Sequence, residues 1–224
     1  MIKNLAIWCL LVLVLFSCSK QKTNTQQAST KPNQQPAQST LGIDSSIEEK
    51  ERTEWQNPQL VLSLLGDLKG QTVVDIGAGS GYFSFKLAKN AKKVIALDVD
   101  PNALEYINEQ KKIVGDWSTN IEARLTPPDV PNLLPEEADK ILIVNTYTFL
   151  PDKVKYLVRL RDGMKDGGQL VIVDFKQGDI PVGPTDTFKQ HPGDVVAELR
   201  AINLTDISVD VDRLEYQYII TAKK

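Results

Sequence analysis

Apolar and polar positions divide the chain into three stretches. Leu5 to Phe16 is an unbroken apolar run of twelve residues. A bilayer span takes about 20 helical residues, so this run has the length of the hydrophobic region of a secretory signal. From Ser19 to about Thr40 the chain is Gln, Thr, Ser, Asn, Pro and Lys, with almost nothing apolar to bury. Such a stretch cannot offset the entropy of ordering itself. From Ile47 onward, β-branched apolar runs alternate with segments of helical periodicity.

That alternation predicts strands at 72–76, 93–97, 121–125, 140–144 and 169–174, with two more near 207–211 and 215–221. It predicts helices at 82–89, 101–110, 152–163 and 193–201. Phe83 and Leu87 share one face of the first helix. Pro101 suits the first turn of the second. In the third, Val154, Leu157, Val158 and Arg161 fall at helical spacing, and Gly163 marks its stop. Strands that are nearly continuous in apolar residues and alternate with helices imply a parallel sheet covered on both faces. The last two strands are joined by only a few residues, which implies an antiparallel pair at one edge.

Composition narrows the chemistry. The net charge is −3 over 224 residues, so there is no basic surplus for neutralising phosphates and no expectation of a nucleic-acid partner. The two cysteines are Cys9 and Cys18, which leaves the folded part without a disulfide, a thiolate metal site or a cysteine nucleophile. The one histidine is His191, in the loop Gln190-His191-Pro192-Gly193. Capping or solvation accounts for a lone loop histidine better than catalysis does. No metal site is expected.

The most informative segment is Val73-Val74-Asp75-Ile76-Gly77-Ala78-Gly79-Ser80-Gly81-Tyr82. It falls where a first strand turns into a first helix. Glycines there permit a tight turn and a close approach of backbone to ligand, and a helix start offers free N–H groups. The dinucleotide fingerprint is G-x-G-x-x-G, but here glycines stand at 77, 79 and 81. Asp75 would repel a pyrophosphate and suits an ammonium; the alternative is a turn carboxylate. Asp98 ends the second strand, where a carboxylate can accept both hydroxyls of a ribose. Its alternative role is a strand-end cap ahead of Pro101.

Asp75-x-Gly77-x-Gly79-x-Gly81 followed by Asp98 resembles motifs I and II of class I S-adenosylmethionine (SAM)-dependent methyltransferases. Arg52-x-x-Trp55-Gln56-x-Pro58 and Leu214-x-Tyr216-Gln217-Tyr218 are similar to segments of a bacterial subgroup of small methyltransferases. The resemblance runs from about Glu51 to the C-terminus. It implies a Rossmann-like, doubly wound α/β sheet of seven strands, ordered 3-2-1-4-5-7-6, with strand 7 antiparallel. It also implies that Asp75, Gly77, Gly79 and Gly81 hold the methionine end of SAM and Asp98 its ribose. Asp129, in Thr126-Pro127-Pro128-Asp129, falls near the loop that addresses the adenine amino group, although a proline-rich turn explains it equally well. Arg52 and Trp55 would lid the cofactor, or else be a surface arginine and a core tryptophan.

After the fourth strand comes Asn145-Thr146-Tyr147-Thr148-Phe149. It lacks the Asn/Asp-Pro-Pro-Tyr motif of base-directed amino methyltransferases. Where the subgroup often carries a histidine after the tyrosine, Thr148 stands. Asn145 and Tyr147 are the candidate catalytic groups; a packed Tyr147 is the alternative. The expected activity is methyl transfer from SAM to a small-molecule or lipid-like acceptor.

The run Leu15-Phe16-Ser17-Cys18 resembles a bacterial lipobox, in which the cysteine is lipidated after cleavage. This divides the chain into a signal peptide (1–17), a polar tether (18–44) and a methyltransferase domain (45–224). It implies a domain lipid-anchored through Cys18 in the bacterial cell envelope. An uncleaved anchor is the other reading of the apolar run. Because SAM is a cytoplasmic metabolite, export also leaves open a non-catalytic SAM- or nucleoside-binding module.

Overall fold

The computed structural model describes residues 52–224; the signal, Cys18 and tether assignments lie outside the described residues. After a helical segment at 52–56, the order is α1 (Pro58–Leu64), β1 (Thr72–Ile76), α2 (Tyr82–Ala88), β2 (Lys93–Asp98), α3 (Pro101–Val114) and β3 (Ile121–Leu125). Then follow β4 (Ala138–Val144), α4 (Lys153–Gly163), β5 (Met164–Phe175), α5 (Pro192–Ala201), β6 (Thr205–Asp210) and β7 (Gln217–Lys223). The strands form one seven-stranded sheet in the order β3-β2-β1-β4-β5-β7-β6. β1 to β5 pair in parallel, and β7 runs antiparallel to both β5 and β6.

Strand residues alternate between two cores, as the period of two requires. On one face Val74, Ile76, Ile141, Ile143, Leu170 and Ile172 pack against Tyr156, Leu157 and Leu160 of α4 and Val195 and Leu199 of α5. On the other, Val73, Val94, Ala96, Leu142, Val171 and Val173 meet Val61 of α1, Phe83 and Leu87 of α2, and Leu104 and Ile107 of α3. Three helix starts share one device, a proline at the first turn with a side chain capping the next free N–H. Asn57 accepts from Leu60 N, Asp100 from Asn102 N, and His191 Nδ1 from Gly193 N.

The expected face of α4 is corrected. The helix buries Tyr156, Leu157 and Leu160, while Val154 and Val158 stand 45% and 36% exposed. Both stripes contain Leu157; the sheet takes the one with the larger apolar side chains, which removes more surface from water. Further differences concern ends. α3 continues to Val114 before Gly115, at φ 110°, stops it, and β5 begins at Met164, five residues earlier than the apolar run suggests. The Gly167-Gly168 pair that reads as a loop lies within that strand, beside a register shift against β4. α1 was not expected at all.

Candidate functional site

At the carboxyl end of β1 the chain makes the glycine turn, and all three glycines have positive φ: 72° at Gly77, 53° at Gly79 and 86° at Gly81. Gly77 N and Ala78 N both donate to Leu97 O, at 2.8 and 3.0 Å, so the turn is laid across the end of β2. The two glycines are there for different reasons. A Cβ on Gly77 would lie 2.3 Å from Thr146 Oγ1, because the turn packs against the loop after β4. A Cβ on Gly79 would meet nothing within 4 Å, so the space over Gly79 is open.

Asp98 closes the turn. Its Oδ2 accepts from Gly79 N at 2.7 Å and its Oδ1 from Asp100 N at 2.9 Å. The carboxylate therefore ties the glycine turn to the start of α3. With up to four lone-pair sites on two oxygens, these bonds leave capacity for further donors.

Asp75 is 3% exposed on the face covered by α2, and Ser84 Oγ donates to its Oδ2 at 2.6 Å. Burial pushes its pKa up to about 6, against the opposing pull of Ser84 and of the nearby Arg52 guanidinium. Arg52 lies with its Cζ 4.5 Å from the Tyr82 ring centroid, and its Nε donates to Gln56 Oε1. Trp55, half-buried, leans on Phe175 at the end of β5, with ring centroids 5.7 Å apart. The segment before α1 thus reaches the same edge of the sheet as the glycine turn. Ser84 was not singled out in the sequence; its position one helical turn past Gly81 is the signal that could have found it.

Asp129 is not brought into this group. It is exposed, and both its carbonyl oxygen and its carboxylate face Arg159 of α4, at 3.0 and 3.7 Å. Asn145, at φ 56°, directs its Oδ1 to Gln217 Nε2. Tyr147 is fully buried and its hydroxyl donates to Glu198 Oε2 at 2.6 Å; Gln190 Nε2 donates to the same carboxylate. His191 caps α5, its Nδ1 accepting from Gly193 N at 3.0 Å. Sequence reasoning missed Asp174, 2% exposed at the end of β5. It accepts from Phe175 N and Thr148 N, and burial raises its pKa to about 6.

A sheet of this order, with a glycine turn after β1 and an acid ending β2, defines the class I SAM-dependent methyltransferases. The methyltransferase-domain family profile matches residues 67–222, and the chain belongs to that family. A SAM-dependent methyltransferase from Aquifex aeolicus superposes with a TM-score of 0.71 at 25% identity, over 81% of this chain and 98% of that one. Phosphoethanolamine N-methyltransferase 2 of Haemonchus contortus, solved with SAM, shares the fold at a TM-score of 0.66 and 14% identity, over 83% of this chain and 58% of that one. A tRNA U34 carboxymethyltransferase of Shewanella baltica is 30% identical over 125 residues, 54% of this chain and 37% of that protein. The chain therefore matches little more than a third of the length of such curated relatives.

Proposed function

We propose that the protein transfers the methyl group of SAM to a small-molecule or lipid-like acceptor at the carboxyl edge of the sheet. The observation that carries this is the open space over Gly79, held by the Asp98 carboxylate, with the buried Asp75 two residues ahead of the turn. A Cβ would fill that space, and an anionic ligand would meet two acids. SAM brings an ammonium for Asp75 and two ribose hydroxyls for Asp98, so the residues fit it. When bound, SAM supplies a sulfonium-activated methyl group and its own leaving group. The protein's part is then to orient and to exclude water. Asp98 positions the ribose while holding the turn, Gly77 sets the turn against Thr146, and Asp75 fixes the methionine end.

A tRNA acceptor, named for the Shewanella relative, draws no support from this chain's own composition. Its net charge is −3, and phosphate binding runs on basic surplus. A non-catalytic, SAM-binding role is the second reading, favoured by the inward-turned Asn145 and Tyr147 and by Thr148. On either reading the N-terminal sequence supports lipidation at Cys18 and a place in the cell envelope. Calorimetric titration with SAM and S-adenosylhomocysteine tests the binding, and radiolabelled SAM incubated with envelope lipid extracts tests the transfer. Binding without transfer would select the second reading; absence of binding would sink both.

A further inference from the structure

Two phenylalanines stand out of the carboxyl edge where an ordinary surface would hide them. Phe149 and Phe188 are 56% and 53% exposed and stack on each other, ring centroids 5.9 Å apart. Neither is on a loose loop. The turn carrying Phe149 is pinned by Thr148 N on Asp174 and by Lys153 Nζ on the carbonyls of Thr148 and Leu150. The turn carrying Phe188 is pinned by Lys189, whose buried Nζ donates to Gly178 O at 2.6 Å, and by Gly178 N on Asp186. Polar contacts at the base of each turn thus hold two rings out in water. The stripe of α4 that the sheet declines, Val154 and Val158, begins five residues after Phe149, with exposed Lys155 between the valines.

Single exposed apolar residues need no explanation, but a held aromatic pair followed within a few residues by an exposed aliphatic stripe does. The described chain also enters the domain on this edge, where Arg52 lies over Tyr82 and Trp55 leans on Phe175. Upstream lie the polar stretch and the twelve-residue apolar run that ends near Cys18.

We propose that Phe149, Phe188, Val154 and Val158 form a face that docks on a lipid bilayer, turning the carboxyl edge of the sheet toward the membrane. This rests on the reading of the N-terminus as a membrane anchor. It deepens the functional reading by naming a bilayer-resident lipid as the source of the acceptor. Aromatic side chains favour the interfacial zone of a bilayer, where an apolar body meets lipid and its neighbours stay wet. Because the face is apolar with a single lysine between the valines, its docking varies little with salt.

The test uses the full chain with Cys9→Ser and Cys18→Ser, so that one introduced cysteine carries an environment-sensitive fluorophore. The apolar run remains to hold the chain on vesicles of phosphatidylcholine with a minority of phosphatidylglycerol. Reporter sites are Phe188→Cys and Val154→Cys, with Asp166→Cys as control, near the start of β5 with its side chain 90% exposed. The expected result is a blue shift and quenching by nitroxide lipids at 188 and 154, with 166 remaining in water. Adding Phe149→Ser should reduce the shift at 188 while leaving SAM affinity unchanged. A chain that floats with the vesicles but keeps position 188 in water overturns the docking face alone. A chain that does not float, and keeps position 188 in water when mixed with the vesicles, overturns the docking face, while flotation of the lipidated chain with Cys18 intact checks the anchor reading separately. A blue shift at 188 that grows with protein concentration without vesicles assigns the face to a second copy and overturns the proposal.

Discussion

Replacing Asp75 with asparagine should make the protein more stable and a poorer binder of SAM. The carboxyl holds its proton more tightly in the folded chain than in the unfolded one, its pKa rising from 3.8 to about 6. Ionising it in place therefore costs about 3 kcal/mol. The sign follows: unfolding releases a proton between pH 4 and 6, so this group's stabilising contribution is whole below about pH 4 and is lost as pH rises through about 6. Asp75→Asn keeps the shape and lets Ser84 go on donating to an oxygen, but never ionises. At pH 8 the variant should gain roughly 1–3 kcal/mol, or about 2–4 °C in melting temperature per kcal/mol for a domain of this size. The gain should shrink toward nothing near pH 4. SAM affinity should fall about tenfold or more, since the ammonium loses its carboxylate. Thermal melts of both proteins across pH 4 to 8, with calorimetric SAM titrations, measure this. A variant no more stable than its parent at pH 8, or one whose advantage does not close at low pH, would refute the reasoning.

Gly79→Ala should cost about 1–2 kcal/mol for the left-handed backbone and fold normally while losing SAM binding. Gly77→Ala drives a Cβ into Thr146 and should show instead as a loss of about 2–5 kcal/mol of stability in chemical melts. Asp98→Ala removes two charge-assisted bonds that hold the glycine turn; a loss of about 2–4 kcal/mol together with ten- to a hundredfold in SAM affinity is expected. Unchanged melting would show that the turn does not depend on the carboxylate. Tyr147→Phe should cost about 1–2 kcal/mol by leaving Glu198 short of a donor, with SAM affinity intact. A tenfold loss of affinity there would move Tyr147 into the cofactor site.

The sheet order came with the family resemblance, while the elements themselves were legible from periodicity because buried parallel strands leave long apolar runs. What stayed hidden has identifiable causes. The outer face of α4 was misread because its two stripes both satisfy helical spacing, and only packing against β4 and β5 chooses between them. The start of β5 was hidden by Gly167 and Gly168, which read as a loop but exchange backbone hydrogen bonds with Lys224 at the end of the chain. Within the site, Asp98 was legible as an acid in register with the glycines. Its bonds to Gly79 N and Asp100 N were not, because they depend on how the turn crosses β2. The ribose role and the strand-end cap, set against each other in the sequence, are compatible in the structure. Asp174 was passed over because an acid at the end of an apolar strand carries no local mark of what its oxygens accept.

Asp75 and Asp174 together show how the site separates structure from chemistry. Each is the penultimate residue of an inner strand, each is almost fully buried, and burial raises each to about 6. Their surroundings differ. Asp174 sits on the α4 face and accepts from the backbone N–H groups of Phe175 and Thr148, so its role is spent on shaping the turn that carries Tyr147 and Phe149. Asp75 sits on the α2 face and takes both the hydroxyl and the backbone N–H of Ser84, with Arg52 acting from nearby. The bonds of Asp174 tie down a turn outside the glycine motif, whereas Asp75 stands two residues before the glycine turn, where a buried acid is a candidate partner for a charged ligand. An ammonium would stabilise the ionised form that burial disfavours, so the place proposed for the methionine end of SAM is Asp75 rather than Asp174.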